Sequence, residues 1–584
     1  MRRAKIVCTL GPASDDRATI RALADAGMTV ARLNASHGTH EDRAELVGRI
    51  QAVDDATDAP LAAMVDLQGP EVRTATLDDP IELATDATVR FVEGETATPE
   101  EVGLSYPIDT VAPGDRVLLD DGRIETEVER VEDGAVVARV VSGGSLGSRK
   151  GVNVPGVDLD LDVVTEKDRR DIEVAVEEGA DFVAASFVRD AEDVYAVTDA
   201  IEAVGGDIPV VAKIERAGAV ENVDGIVEAA YGVMVARGDL GVECPLEDVP
   251  MVQKRIIHRA QDAGVPVITA TEMLDSMVHS RRPTRAEASD VANAVLDGTD
   301  AVMLSGETAI GDHPVHVVET MDRIVREVEA SDEYAETTEG RVPAAVDGSQ
   351  TEALARAARY LARDLGAAAI VAVSESGYTA RKTSKFRPGV PVVATTPRDP
   401  VRRQLALSWG VEAQYAAYRE DIDDMIDAAV DAALDAGAAD SGDTVVVLSG
   451  MMTELEGTNT TNMLKVHVAS ETVATGRKVN GGRVSGPVFR SPDGDLSDAP
   501  EGAILVLPAT FEGEFAGDTS TLAGIVDARP GMTGYPALVA RELGIPMVSG
   551  APLPDDVADG TTVTLHAERG VVYEGDVTRL ERPR

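Results

Sequence analysis

The chain has 584 residues, 44% of them hydrophobic, so it is globular and too long for a single core. Asp plus Glu number 103 against 54 Lys plus Arg, a formal net charge of −49 spread over the chain rather than gathered in a tail. No basic face is evident and such a field repels phosphate, which excludes a nucleic-acid binder and leaves any phosphate to local cations. The charge reads as adaptation to a salt-rich cytoplasm, where screening shrinks to about 3 Å at 1 M salt. Cys8 and Cys244 are too few for a disulfide framework or a thiolate metal site. The start, Met1-Arg2-Arg3-Ala4-Lys5-Ile6-Val7, shows no signal-peptide pattern, and no apolar run approaches membrane-spanning length; a cytoplasmic protein without membrane contact is expected.

In chain order, apolar runs at 6–10, 30–33, 61–65, 182–185, 210–214, 232–236, 265–270 and 301–304 alternate with helical stretches, which is the pattern of a parallel α/β protein. Eight runs suffice for a closed (β/α)8 TIM barrel, and each is followed at once by polar or glycine-rich residues that would share one rim. An open doubly wound sheet is the alternative, but its polar residues would gather at a switch point rather than after every strand. The barrel is expected over 1–68 and 156–335. Between them, 69–155 is rich in Val, Thr and turn pairs such as Pro113-Gly114, Asp121-Gly122 and Asp133-Gly134, which predicts an inserted β-barrel or sandwich placed as a lid. The acidic stretch 331–350 reads as a linker. A second α/β unit follows at 345–470, with strands near 369–373, 390–394 and 444–448 and a helix over 351–365. A last unit occupies 476–584, with strands near 503–506, 546–548 and 563–565.

Alternation places Lys213 and Glu215 on one side of the fifth run, and the sixth delivers Arg237-Gly238-Asp239. Two carboxylates from adjacent strands suit a hard divalent cation that takes its other ligands from water and a phosphorylated substrate; a rim salt bridge is the plainer alternative. Lys213 can follow the charge of a moving phosphoryl group, and Gly238 permits close backbone approach. Arg32 supplies a planar fork for phosphate oxygens. Asn34, Ser36, Asp66 and a backbone carbonyl form a set suited to a monovalent cation, although a turn held by Asn and Ser side chains accounts for Asn34 and Ser36 as well. Thr271, Ser305 and Glu307 follow the last two runs and can relay a proton to a developing enolate, while Thr271 alone also reads as a helix N-cap.

Six segments carry a closer resemblance: Ile6-Val7-Cys8-Thr9-Leu10-Gly11-Pro12-Ala13-Ser14, Ala31-Arg32-Leu33-Asn34-Ala35-Ser36-His37-Gly38, Lys150-Gly151-Val152-Asn153-Val154-Pro155-Gly156, Met234-Val235-Ala236-Arg237-Gly238-Asp239-Leu240-Gly241, Arg282-Pro283-Thr284-Arg285-Ala286-Glu287 and Met303-Leu304-Ser305-Gly306-Glu307-Thr308-Ala309. In this order, and up to about His467, the chain resembles the pyruvate kinases, which move the phosphoryl group of phosphoenolpyruvate to ADP. The resemblance implies Mg²⁺ or Mn²⁺ on Glu215 and Asp239. It implies the substrate carboxylate on the Ala236 and Gly238 amides and Thr271, and the transferring phosphoryl group beside Lys213 and Arg32. It further implies K⁺ on Asn34, Ser36, Asp66 and the Leu67 carbonyl, nucleotide contacts from Asn34, His37, Arg73 and Lys150, and a homotetramer. Three residues depart from the family's usual pattern: Glu272 in place of Gln, and Leu67 and Gln68 in place of Thr and Lys. Glu71 agrees with members that require K⁺.

Ser374-Glu375-Ser376-Gly377-Tyr378-Thr379, between a strand and a helix, reads either as a phosphate cradle or as an ordinary capped helix. The resemblance implies that Ser374, Ser376, Gly377 and Thr379 hold the phosphate of an allosteric effector. The tail, around Gly531-Met532-Thr533-Gly534-Tyr535-Pro536, resembles the swivelling phosphohistidine domain of phosphoenolpyruvate-using dikinases, with Tyr535 where they carry the histidine. A structural role at a subunit contact is expected instead. The missing histidine and the lack of an ATP-grasp region weigh against a dikinase-like synthase. Retention of Lys213, Glu215 and Asp239 weighs against a silent phosphoenolpyruvate sensor.

Overall fold

A computed structural model describes residues 2–132, 134–419, 421–450, 461–469 and 472–577. Asp133 of an expected turn, and the end of the tail unit at 578–584, lie outside them. Eight parallel strands, Lys5–Thr9, Val30–Asn34, Ala62–Asp66, Phe182–Ala185, Val210–Ile214, Gly232–Ala236, Val267–Ala270 and Ala301–Leu304, pair in chain order and close first to eighth. They are almost wholly buried, because helices cover a parallel barrel outside while side chains fill it inside. The apolar runs of the sequence therefore coincide with the strands. The seventh starts two residues later than expected: the Val265 amide ends the preceding helix on the Ala260 carbonyl at 2.9 Å, after Gly264 in a left-handed conformation (φ 71°).

Between the third strand and the helix Glu166–Glu177 that precedes the fourth, the chain builds a seven-stranded sheet and a two-stranded one, and no helix forms among the described residues of 69–155. Its core gathers Val89, Phe91, Leu119, Val136 and Leu146. Further on, Val411–Tyr415, Val392–Thr396, Ala369–Val373, Thr444–Ser449 and Met463–Val468 form a five-stranded sheet in that order, the last strand antiparallel. The tail folds into an eight-stranded sheet in which Arg483–Arg490 pairs with Ala503–Leu507 on one side and Thr562–His566 on the other. Among the described residues no helix is long and apolar enough to cross a membrane.

The chain forms two compact bodies. One comprises Ala345–Thr383, Pro388–Arg398 and Gln414–Arg584, and the other Met1–Ala344 with Ser384–Arg387 and Asp399–Ala413. In this second body three arginines reach carboxylates at the strand-entry face of the barrel. Arg402 pairs with Asp54, Arg403 Nε with Asp181 at 2.8 Å, and Arg387 clasps Asp300 through both guanidinium ends at 2.9 and 3.1 Å. Arg387 also lies over the ring of buried Trp409, 4.7 Å from its centroid. Trp409 Nε1 donates to the Tyr334 hydroxyl at 3.0 Å, which orders a helix, Asp332–Gly340, where the sequence reads as a linker. Arg387→Met is expected to lower stability by about 3–5 kcal/mol, since it leaves Asp300 buried without its cation. Denaturant unfolding measures the loss; a change below 1 kcal/mol would contradict the clasp.

Candidate active site

The barrel brings its functional side chains to the ends of the strands. Arg32, at the end of the second, donates from Nε to Asp66 Oδ2 at 2.6 Å and from Nη1 to Thr9 Oγ1 at 2.9 Å. Lys213 Nζ, on the fifth, lies 2.8 Å from Glu215 Oε1 and 3.3 Å from Asp66 Oδ1, and donates to Ser186 Oγ at 2.7 Å. The Ser186 hydroxyl in turn donates to the Leu67 carbonyl at 2.8 Å. The second oxygen of Glu215 accepts from the Phe187 amide at 2.8 Å, an amide aimed there by a left-handed backbone (φ 59°). Arg32, Lys213, Asp66 and Glu215 thus form one largely buried, alternating charge cluster drawn from three strands.

Burial alone would strip the Lys213 ammonium of its proton, but Asp66 and Glu215 more than offset it and hold the group above the usual lysine range. Asp66 is likewise pushed up by burial, yet Arg32 and Lys213 carry it below the usual carboxylate range. Asp239 is the exception. Burial and the nearby Glu215 push its carboxyl up to about 7. Two desolvated carboxylates that repel each other form a pair a divalent cation would relieve, so this donor set fits one. No group of three or more His, Cys, Asp or Glu side chains suited to a metal occurs among the described residues.

Across the mouth, Thr271 and Glu272 both adopt positive φ, 75° and 53°, which is costly for residues with a side chain. Arg237 holds this turn, donating from Nε to the Ala270 carbonyl at 3.0 Å and from Nη2 to the Thr271 carbonyl at 2.7 Å. Its Nη1 is fixed on Asp290 at 2.7 Å. Thr271 caps no helix; the next α-helix, Arg285–Leu296, is capped by Thr284. Gly238 presses against this threonine, for a Cβ there would come within 2.7 Å of Thr271 Cγ2. Ser305 donates its amide to Glu307 Oε2 at 2.6 Å, and Leu274 donates its amide to Oε1 at 3.0 Å, so Glu307 ties the last two strand ends together. Burial raises its carboxyl above the ordinary value.

The outer residues are more loosely gathered. Asn34 Oδ1 accepts from the Ser36 amide at 3.0 Å, so the turn suggested by the sequence does form, while Asn34 stays level with Asp66 in the sheet register. His37 is exposed. In the inserted unit, Arg73 pairs with Glu71 at 2.7 Å and Lys150 with Asp120 at 2.8 Å. Sequence reasoning missed Thr9, Ser186, the Phe187 amide and Arg237 as members of the site; their one signal is their place at strand ends.

In the other body, Ser374–Thr379 leads into the helix Tyr378–Lys385. Ser374 Oγ accepts from the Thr379 amide at 3.3 Å, Thr379 Oγ1 lies 2.8 Å from Thr461 Oγ1, and Gly377 takes φ 74°. In the tail, Tyr535 opens the helix Tyr535–Leu543, its ring edge-on to Phe515 at 5.3 Å.

Residues 1–318 match the family model of the pyruvate kinase barrel domain, and 352–467 that of the pyruvate kinase alpha/beta domain. Residues 499–570 match the mobile domain of PEP-utilising enzymes. The chain is 42% identical over 589 residues to the pyruvate kinase of Geobacillus stearothermophilus, covering 99% of this chain and 100% of that one. It is 40% identical to the pyruvate kinases of Sporosarcina psychrophila and Bacillus licheniformis, again over 99% of this chain and 100% of theirs. With the family's barrel, its alpha/beta domain and full-length relatives all in register, this chain belongs to the pyruvate kinase family.

Proposed function

We propose that the buried cluster of Arg32, Asp66, Lys213 and Glu215, with Asp239 beside it, is where this pyruvate kinase moves the phosphoryl group of phosphoenolpyruvate to ADP. The observation that carries this assignment is Lys213 held charged between two carboxylates within a desolvated mouth. The reaction breaks the bond between phosphorus and the enol oxygen, forms one to the terminal phosphate of ADP, and leaves an enolate that takes a proton to become pyruvate. Lys213 and Arg32 face the phosphoryl oxygens, where fixed positive charge counts most in phosphoryl transfer. The Ala236 and Gly238 amides and the Thr271 hydroxyl receive the substrate carboxylate. Thr271, with Ser305 and Glu307 behind it, carries the proton to the enolate carbon.

Pyruvate kinases work with a divalent cation; here Glu215 and Asp239 would hold Mg²⁺ or Mn²⁺, which when bound neutralises charge on substrate oxygens. Asp66 Oδ1 is buried with Lys213 Nζ at 3.3 Å, and with Asn34, Ser36 and the Leu67 carbonyl it offers oxygens to K⁺. Asn34, His37, Arg73 and Lys150 would meet the nucleotide, with 69–155 as the lid, and Ser374, Ser376, Gly377 and Thr379 an effector phosphate. A cytoplasmic homotetramer completes the proposal.

A coupled assay in molar KCl with Mg²⁺ is expected to show ADP-dependent pyruvate formation; no turnover by folded protein would refute the assignment. Replacing K⁺ by Na⁺ or a tetraalkylammonium ion at equal ionic strength is expected to cut kcat at least tenfold. Undiminished activity would remove K⁺ from the site.

A further inference from the structure

The loop after the second strand carries Asn34, Ser36 and His37, yet much of its shape is set by a helix behind it. The Ala35 amide donates to the Asp66 carbonyl at 2.8 Å. The next peptide, which joins Ala35 to Ser36, is held on both sides. Its amide donates to Asn34 Oδ1 at 3.0 Å, and its carbonyl accepts from Lys167 Nζ at 2.6 Å. A peptide unit is planar, so fixing the direction of its carbonyl fixes that of its amide. Lys167 thereby settles where Asn34 Oδ1 rests and from which backbone orientation Ser36 projects.

Lys167 is itself firmly placed. It lies in the first turn of the helix Glu166–Glu177, whose start is closed by a capping box between Thr165 and Asp168. Its Nζ is 2.7 Å from Asp171 Oδ2, one turn further along. Asp171 is fully buried; its other oxygen pairs with Arg43 and lies 3.2 Å from His40 Nε2. Arg43 in turn donates to the His37 carbonyl at 3.0 Å. One buried carboxylate thus fixes two cations, and both of them end on carbonyls of the same loop.

We infer that Lys167, locked by Asp171, is a positioning residue for the monovalent-cation site, orienting Asn34 and Ser36 while being no ligand itself. The inference rests on the reading of Asn34, Ser36, Asp66 and the Leu67 carbonyl as the K⁺ ligands. Without Lys167 the Ala35–Ser36 peptide is free to turn, and the Ser36 amide no longer holds Asn34 Oδ1. Two of the four ligands must then be ordered by the ion as it binds. Loss of preorganisation of this kind weakens affinity, whereas the site, once filled, is the same.

Lys167→Met tests this, and Asp171 keeps Arg43 in that variant. Lys254→Met is the control: it takes a lysine of the same 38% exposure from another buried carboxylate, Asp297. K⁺ is titrated against tetramethylammonium at constant ionic strength, and the thermal midpoint and the velocity are followed separately. In the parent both rise saturably. Lys167→Met raises the half-saturating K⁺ concentration at least tenfold in both readouts and keeps kcat at saturating K⁺ within threefold, and Lys167→Arg recovers most of the shift. Lys254→Met lowers the midpoint at every K⁺ concentration without moving half-saturation. Parent-like half-saturation in Lys167→Met, or an equal shift in Lys254→Met, overturns the positioning role. A parent whose midpoint does not respond to K⁺ overturns the ion site itself, so the two failures are distinct.

Discussion

Lys213→Met is expected to lower kcat by about 10³-fold, with a much smaller change in KM for phosphoenolpyruvate. Removing one preorganised charge from the site of transition-state charge typically costs about 10²–10³ in kcat, and Lys213, its side chain 12% exposed, is held between two buried carboxylates. The substitution also has a stability signature. It leaves Glu215 with the Phe187 amide but no cation, and Asp66 with Arg32 alone. Breaking a buried pair in this way costs about 3–5 kcal/mol. Thermal unfolding in EDTA should therefore show a lowered midpoint, and Mg²⁺ should recover part of it by supplying Glu215 with a new counter-charge. A variant that keeps kcat within tenfold of the parent would remove Lys213 from the chemistry.

Gly238→Ala is expected to reduce kcat/KM for phosphoenolpyruvate by about 10²-fold. The new methyl would meet Thr271 Cγ2 at 2.7 Å, inside any real carbon contact. Thr271 cannot yield easily, because Arg237 pins its carbonyl and its backbone already sits at positive φ. A displacement of about 1 Å at a reacting group can cost this much. Thr271→Ser keeps the hydroxyl and deletes Cγ2, so the double variant Gly238→Ala, Thr271→Ser should recover most of the loss. Additive losses in that cycle would show that the two residues do not touch in the way described.

The barrel was legible because its strands are buried on both faces, which forces continuous apolar runs with polar residues only where each run ends. Lys213, Glu215 and Asp239 were legible for the same reason, as ionisable groups at those ends. The helix Asp332–Gly340 was not, since it buries mainly Tyr334 and owes its place to Trp409, remote in sequence. Nor were the positive φ angles of Phe187, Thr271 and Glu272, which no residue with a side chain advertises. Ser186 looked like any serine after a strand; its bridging between Lys213 and Leu67 depends on a neighbouring strand register. Asn34 and Ser36 left two roles open, and the structure realises the turn through the Ser36 amide on Asn34 Oδ1.

The arginines at the strand-entry face also bear on how the chain is made. Asp54, Asp181 and Asp300 are all synthesised before residue 304 closes the last barrel strand, but their partners Arg387, Arg402 and Arg403 come much later. At elongation rates of about 5–20 residues per second, the strands are complete for several seconds while three carboxylates at their base still lack counter-charges. During that interval the nascent barrel depends on water reaching that face. Its three carboxylates are paired only when Arg387, Arg402 and Arg403 have left the ribosome. A gene cut after the eighth strand would thus encode a permanent version of that transient species.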